Sequence, residues 1–411
     1  MCKPRIINER LRSTLDQLEA QNLIKPVAQF KPYLDGIHCE LITSSPKYPQ
    51  SNGAGDHSQK LYPEYKKLCQ TACRRAMSLL RAGSPALQVV VAATTVLEDS
   101  ALTNAGFGST LNWDGQVECD ASVMDGPSLR YGAVGAVPGV RNPVHLAHRL
   151  CCEQAGQLLL GDRTPPCMLV GTGACKWAEL AGIETVPERS LISAKAMRRH
   201  HHYKKKLDIV GMWKNKVLTP LDTVGAVCVD SQGHVASACS SGGIALKSPG
   251  RVGQAGVYGC GCWAEDGVGG RPAVAACTSG SGEYLISTSL AREAACALKD
   301  ASIGSTVITL HDCFRHKFLG SHFLKNVPEV SRLGGAIALR SCAADGEFLW
   351  AHTTNKMVVG FMSAVDKKPM VRMSVLPSRT QQGRVVNVEG VTFKSVRLPG
   401  ADSNSDTELL L

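Results

Sequence analysis

Aromatic side chains are scarce in this chain of 411 residues, at 5%, against 40 glycines and 44% apolar residues. That scarcity excludes a core built on large rings and points to small-residue packing with many tight turns. Long apolar runs are missing as well. The longest, around Ala86–Leu97, is interrupted by Gln88 and two threonines and is too short to cross a bilayer, so no membrane segment is expected. The order of a secretory signal does not open the chain either, which implies a reducing compartment. The 17 cysteines are an odd number that cannot pair completely. Cys69/Cys73, Cys151/Cys152 and Cys260/Cys262 lack C-x-x-C spacing, and no Cys/His pattern supplies four ligands. A disulfide scaffold and a zinc ribbon are thereby excluded, leaving reduced, mostly buried thiols in the cytosol or nucleus. Acidic residues fall short of basic ones, 35 against 45, and much of the net charge of +10 lies between Lys195 and Lys216 rather than over a whole face.

What is present suits a layered α/β enzyme of one large or two ordinary domains. Residues 1–60 show no sustained periodicity and are expected to be poorly specified. From Tyr62 apolar residues recur at helical spacing, with Pro63 near the start and Gly83 as the stop. Ser84-Pro85 opens a second helix, over Ala86–Leu97. Thr103–Ser109 is a glycine-rich loop, Val117–Ser122 a strand, and a helix runs from Val144 to about Leu160. The basic stretch from about 191 to 222, with histidines at 200–202, has charge without an apolar face and reads as a flexible, solvated loop. Thr223–Val229 and Val235–Ser240 form a hairpin across Asp230–Gly233. A helix over Glu283–Leu298 and strands over Gly334–Leu339 and Phe348–Met362 follow.

The chemistry centres on Asp222-Thr223. A threonine at the head of a strand, after a loose loop and ahead of the run Cys239-Ser240-Ser241-Gly242-Gly243, has the setting of a nucleophile unmasked by cutting its own chain. A threonine hydroxyl needs a base, and an N-terminal threonine carries one in its α-amine, whose pKa near ~7.7–8 leaves a usable neutral fraction. The bond between Asp222 and Thr223 must break first. Asp222 is then the first acyl group processed, which hints that later substrates are also cut after aspartate.

Seven stretches together resemble the type 2 asparaginase branch of the N-terminal nucleophile hydrolases, and within it the threonine aspartases. They are Leu97–Ser100 with Thr103–Gly106, Glu118–Ser122 with Met124–Gly126, Asp222–Val227, Ser240–Gly243, Gly250–Gln254, Tyr258–Glu265 and Ser279–Glu283. The resemblance implies a four-layer αββα sandwich with an α subunit over 61–222 and a β subunit over 223–411. It implies Thr223 as nucleophile supported by Ser241, Ser279 and the Gly280 amide as oxyanion donors, and Asn104 in the oxyanion-supporting loop. Arg251 matches the guanidinium that grips the substrate carboxylate, a task that suits its planar fork. Gly282 lets the backbone approach the substrate, and Gly55 falls in the strand-end Gly-Ala-Gly motif. Small-molecule members carry aspartate where this chain has Gln254. That charge would pair with the ammonium of a free amino acid, whereas a protein substrate has an uncharged nitrogen there.

From the same resemblance follow protein substrates of nuclear type, histone methyltransferases of the mixed-lineage-leukaemia kind and the precursor of general transcription factor IIA. It also implies an αβ heterodimer or a pair of them, residence in nucleus and cytoplasm, and an import role for the basic loop. No metal or organic cofactor, membrane contact or direct nucleic-acid binding is expected. The alternative is a small-molecule asparaginase or β-aspartyl peptidase. One stretch departs from the pattern: the family's first strand is apolar up to Gly-Ala-Gly, whereas Ser44–Ser51 contains two prolines and makes a poor central strand. Either the strand is supplied differently or the N-terminal segment is misjoined.

Overall fold

The computed structural model describes residues 38–43, 61–156, 162–209, 223–302, 304–342 and 345–394. Upstream of Thr223 lie strands β1 (His38–Thr43), β2 (Cys119–Asp125), β3 (Tyr131–Val137) and β4 (Met168–Val170). The same part holds helices α1 (Tyr62–Arg81), α2 (Ala86–Glu98), α3 (Pro143–Glu153), α4 (Gly171–Leu180) and α5 (Ala194–Ile209). Downstream come β5 (Val224–Val229), β6 (Val235–Ser241), β7 (Cys262–Glu265) and β8 (Ala273–Gly280), then α6 (Gly282–Thr288), α7 (Leu290–Asp300) and α8 (Thr306–Cys313). The last strands are β9 (Gly334–Ser341), β10 (Asp345–His352), β11 (Lys356–Ser363), β12 (Met370–Val375) and β13 (Asn387–Lys394).

The strands form a mixed α/β structure with an eight-stranded sheet in the order β12-β11-β1-β5-β6-β2-β3-β4 and a five-stranded sheet in the order β13-β10-β9-β8-β7. Side chains alternate across each strand, so β5 serves two cores at once. Val224, Ala226 and Cys228 join α1 and α2 in one cluster, while Val227 and Val229 join the smaller sheet and α7 in another. Alanine and glycine on the facing strands let the two sheets approach, as the low aromatic content suggests. Each buried valine or leucine in these clusters adds about 1.5–3 kcal/mol.

The first two helices match the periodicity, with Gly83 at φ +80° closing α1. The start of α2 is held differently from expectation. Ser84 makes no capping bond; instead the Asp230 carboxylate, in the β5–β6 turn, accepts the Ala86 N–H at 3.0 Å. The helix expected over Glu283–Leu298 is two, because Ser289 adopts φ +46° between α6 and α7. The long strand expected over Phe348–Met362 is likewise two, β10 and β11.

Two corrections bear on the site. His38–Thr43, inside the segment expected to be poorly specified, is an interior strand that pairs antiparallel with β11 on one side and β5 on the other. The sequence HCELIT has alternating, β-compatible residues and no proline; the prolines lie beyond it. The basic stretch is also not a loop throughout, since Ala194–Ile209 is helical. Its apolar contacts are few but sufficient: Ala196 and Tyr203 are buried, and Lys204 stacks over Trp113 at 5.1 Å from the ring centre. Ser44–Ser51 and Gly55 lie outside the described residues. Among the described residues no disulfide links the cysteines, no group of three or more His, Cys, Asp or Glu could hold a metal ion, and no helix is long and apolar enough to cross a membrane.

Candidate active site

The β5–β6 hairpin pairs Val224 with Ser240, which brings Thr223 and Ser241 together at one end of the sheet. Both are buried. The Thr223 hydroxyl donates to Ser241 Oγ at 3.1 Å and accepts from Gln254 Nε2, also at 3.1 Å. Ser241 Oγ in turn accepts the Gly243 N–H at 3.0 Å. The Thr223 hydroxyl therefore has its proton directed at one neighbour and a lone pair fixed by another. Around it a small pocket is lined by Asn104, Thr223, Ser241, Gly243, Ile244, Arg251, Gln254, Gly280 and Gly282.

Asn104 ties the glycine-rich loop to the turn after β6. Its Nδ2 donates to the Gly243 carbonyl at 2.6 Å, its Oδ1 accepts the Thr110 N–H at 2.8 Å, and its own carbonyl accepts the Gly242 N–H at 2.8 Å. The Asn104 side chain and the Thr110 N–H are buried and the Gly243 carbonyl partly so; an unmade buried bond costs about 1–3 kcal/mol. Thr110 adds a hydroxyl bond to the Gly243 carbonyl at 3.2 Å.

The guanidinium of Arg251 lies against glycine backbone. A β-carbon added at Gly282 would stand 2.5 Å from Nη2, and one at Gly253 or Gly243 would stand 2.7 or 2.9 Å from Nη1. The Arg251 Nε donates to Glu283 Oε1 at 2.8 Å. Nη2 is equally close to that oxygen, 2.8 Å, but lies off the N–H direction, so this buried nitrogen has no aligned acceptor. Gly280, at the end of β8, could not carry a side chain either, because a β-carbon would meet the Leu333 carbonyl at 2.4 Å. Its neighbour Ser279 is buried on β8 but does not line the pocket.

Behind these groups lie buried carboxyls whose functional part the sequence reading did not assign. Asp120, in β2, accepts the Gly253 and Ala136 N–H groups, each at 2.8 Å, and so fixes the turn that carries Arg251. Burial raises its pKa, against the opposing pull of Lys247 and those two backbone bonds. Glu98, at the end of α2, accepts from Ser240 Oγ at 2.6 Å and from the Val144 N–H at 3.1 Å, and its other oxygen is unpartnered. Burial pushes its pKa up to about 8, outweighing the hydrogen bonds from Ser240, Val144 and Asn142. Both residues stand in the stretches quoted above, and that position in the motifs was the available signal. Glu283, in the last of those stretches, was passed over because a carboxylate in the first turn of a helix is unremarkable on its own.

The structure thus brings together Thr223, Ser241, Asn104, Arg251, Gln254, Gly280 and Gly282. Asp222 lies outside the described residues.

The family model described as Asparaginase matches residues 51–371. Among curated proteins the chain is similar to the isoaspartyl peptidase/L-asparaginase of Homo sapiens, 34% identical over 302 residues that cover 74% of this chain and 88% of that protein. To the protein of the same name from Bos taurus it is 40% identical over 215 residues, 52% of this chain. That alignment spans 64% of the bovine protein, less than two thirds of its length. A plant-type L-asparaginase of Pyrobaculum calidifontis is 38% identical over 230 residues, covering 56% of this chain and 71% of the archaeal one.

Proposed function

Since the chain belongs to the type 2 asparaginase family of N-terminal nucleophile hydrolases, we propose that it is a threonine hydrolase that cuts its own Asp222–Thr223 bond and then cleaves protein substrates after aspartate. The observation that carries the reading is the Thr223 hydroxyl held between Ser241 Oγ and the uncharged Gln254 amide, each at 3.1 Å.

In the precursor the Thr223 oxygen attacks the Asp222 carbonyl and the peptide bond becomes an ester, which water then hydrolyses. The new α-amine takes the hydroxyl proton in later cycles. An aspartyl substrate places its carboxylate at Arg251, and its scissile carbonyl is attacked by Thr223. The Gly280 N–H, which lines the pocket, is proposed to receive the developing oxyanion, where one such donor is worth about 10²–10³ in rate; Ser279, off the pocket lining, is not given that part. The leaving amine takes the proton from Thr223, and water frees the acyl group. The same reading includes an αββα sandwich, which the two stacked sheets with outer helices support, and a processed protein of two segments, 1–222 and 223–411.

Nuclear regulators as substrates, residence in nucleus and cytoplasm, and pairing of heterodimers belong to the proposal and rest on the motif resemblance alone. The names of the curated relatives favour a second reading more directly, an asparaginase or isoaspartyl peptidase acting on small amides. What separates the two in the site is Gln254, which brings no negative charge to meet the ammonium of a free amino acid.

Incubation of the full chain followed by intact-mass analysis and N-terminal sequencing tests the first step: a new terminus at Thr223, absent from Thr223→Ala, is expected. Hydrolysis of a peptide with an internal aspartate, compared with asparagine and an isoaspartyl dipeptide, tests the second. Turnover of the small amides with no cleavage of the peptide would overturn the endopeptidase reading in favour of the other.

A further inference from the structure

We infer that Glu283 is a positioning residue for substrate recognition: it holds the outer edge of the Arg251 guanidinium so that the inner edge is presented to a carboxylate in the pocket. The inference rests on the proposed function and adds to it a residue that contacts no substrate.

A guanidinium offers two edges for bidentate binding, one made by Nε with Nη2 and the other by Nη1 with Nη2. In this protein the Nε end of the first is taken. Glu283 Oε1 accepts from Nε at 2.8 Å, and its side chain, more than half exposed, lies on the solvent side of Arg251. The second edge is tucked against Gly243, Gly253 and Gly282, where no side chain would fit. Nη2 is buried there without an aligned acceptor, although Arg251 lines the pocket beside Thr223 and Gln254. An unsatisfied buried N–H on a cation is costly, and a carboxylate entering the pocket supplies the missing acceptor.

The arginine side chain is long, with much rotamer freedom to lose. The Glu283 carboxylate, accepting from Nε, fixes the rotation of the guanidinium plane. It also neutralises the charge, so selection depends on the geometry of two N–H groups more than on attraction at a distance. Loss of Glu283 should therefore weaken binding without altering the reacting groups.

The experiment uses the processed full chain as wild type, Glu283→Ala and Glu283→Gln, with steady-state kinetics on a peptide containing an internal aspartate and on asparagine. Glu283→Ala is expected to raise KM by about tenfold, the equivalent of one charge-assisted hydrogen bond, with kcat within about threefold. Glu283→Gln keeps an acceptor oxygen for Nε and is expected to stay within about threefold of wild type in KM. The yield of chain cut at Thr223 and the melting temperature report folding in each variant. An unchanged KM in Glu283→Ala, or a fall in kcat at constant KM, overturns the inference while leaving the proposed function standing. A wild type that turns over neither substrate overturns the proposed function and takes this inference with it.

Discussion

Gln254 Nε2 stands 3.1 Å from the hydroxyl oxygen of Thr223, as far as that oxygen is from Ser241 Oγ on its other side. The residue that separates the two substrate readings is therefore also a direct partner of the Thr223 hydroxyl, the proposed nucleophile. Replacing it by aspartate removes the donor and sets a negative charge beside the threonine. Gln254→Asp is expected to shift the ratio of kcat/KM for asparagine over that for an internal-aspartate peptide upward by about a hundredfold, or ~2.7 kcal/mol. A ratio that does not move would remove Gln254 from the specificity argument.

Asn104 joins two loops through bonds at both ends of its side-chain amide. In Asn104→Ala the Gly243 carbonyl loses a donor and the Thr110 N–H an acceptor. At about 1–3 kcal/mol for each buried group, partly relieved by the Thr110 hydroxyl, self-cleavage should slow by at least about tenfold. Gel densitometry of the uncut chain over time gives the rate. Asn104→Asp, which keeps only the acceptor, should fall between the alanine variant and wild type.

Gly282→Ala adds a β-carbon that would lie 2.5 Å from Arg251 Nη2 and 3.0 Å from Gln254 Oε1. The backbone there tolerates alanine, so the strain falls on the arginine. A rise in KM of about tenfold for aspartyl substrates is expected, with thermal stability changed by less than about 1 kcal/mol. Titration calorimetry with a peptide ending in aspartate measures the loss apart from catalysis.

Glu98 sets a dependence of stability on pH. Its pKa is about 8 in the folded protein and near ~4.5 in an unfolded chain. Folding therefore takes up a proton between those values, and stability falls as pH rises across that window by up to about 1.4 kcal/mol for each pH unit. Below pH ~4.5 and above about 8 the contribution is flat. Glu98→Gln keeps the shape, still accepts from Ser240 and Val144, and does not titrate. Its unfolding free energy, measured by denaturant between pH 5 and 8, should have a shallower slope than that of wild type; parallel slopes would show that Glu98 is not protonated there.

The parts of the fold legible in the sequence are those with unbroken periodicity or a marked turn. Helices α1 and α2 and the β5–β6 hairpin, with Asp230–Gly233 between its strands, stand where the pattern puts them. Strand β1 was hidden because six residues between proline-rich segments carry little periodic signal, and what makes HCELIT a strand is the gap between β5 and β11. Helix α5 was hidden by its charge, since propensity and the buried Ala196, His200 and Tyr203 decide its structure more than an apolar stripe does. Of the site, Thr223, Ser241, Asn104, Arg251, Gln254, Gly280 and Gly282 were legible through short motifs whose spacing the hairpin and the loops convert into one pocket. Asp120, Glu98 and Glu283 act from other elements, through contacts between positions up to 142 apart in sequence, so what they do follows from the fold and not from their place in a motif.

The order of strands in the larger sheet decides what a broken bond at residue 222 would do to the molecule. Read across, β12 and β11 come from downstream of the cut, β1 from upstream, β5 and β6 from downstream, and β2, β3 and β4 from upstream again. The two pieces are laced through each other. Every seam between them is a full ladder of backbone bonds, so neither piece can leave without melting the sheet that holds Thr223. Processing would thus be a one-way commitment: the halves of two molecules could not be exchanged, and a cut protein once denatured would have to find its partner again through solution. Dilution should leave the native cut form intact but lower its recovery after denaturant is removed, whereas the uncut Thr223→Ala chain should refold independently of concentration.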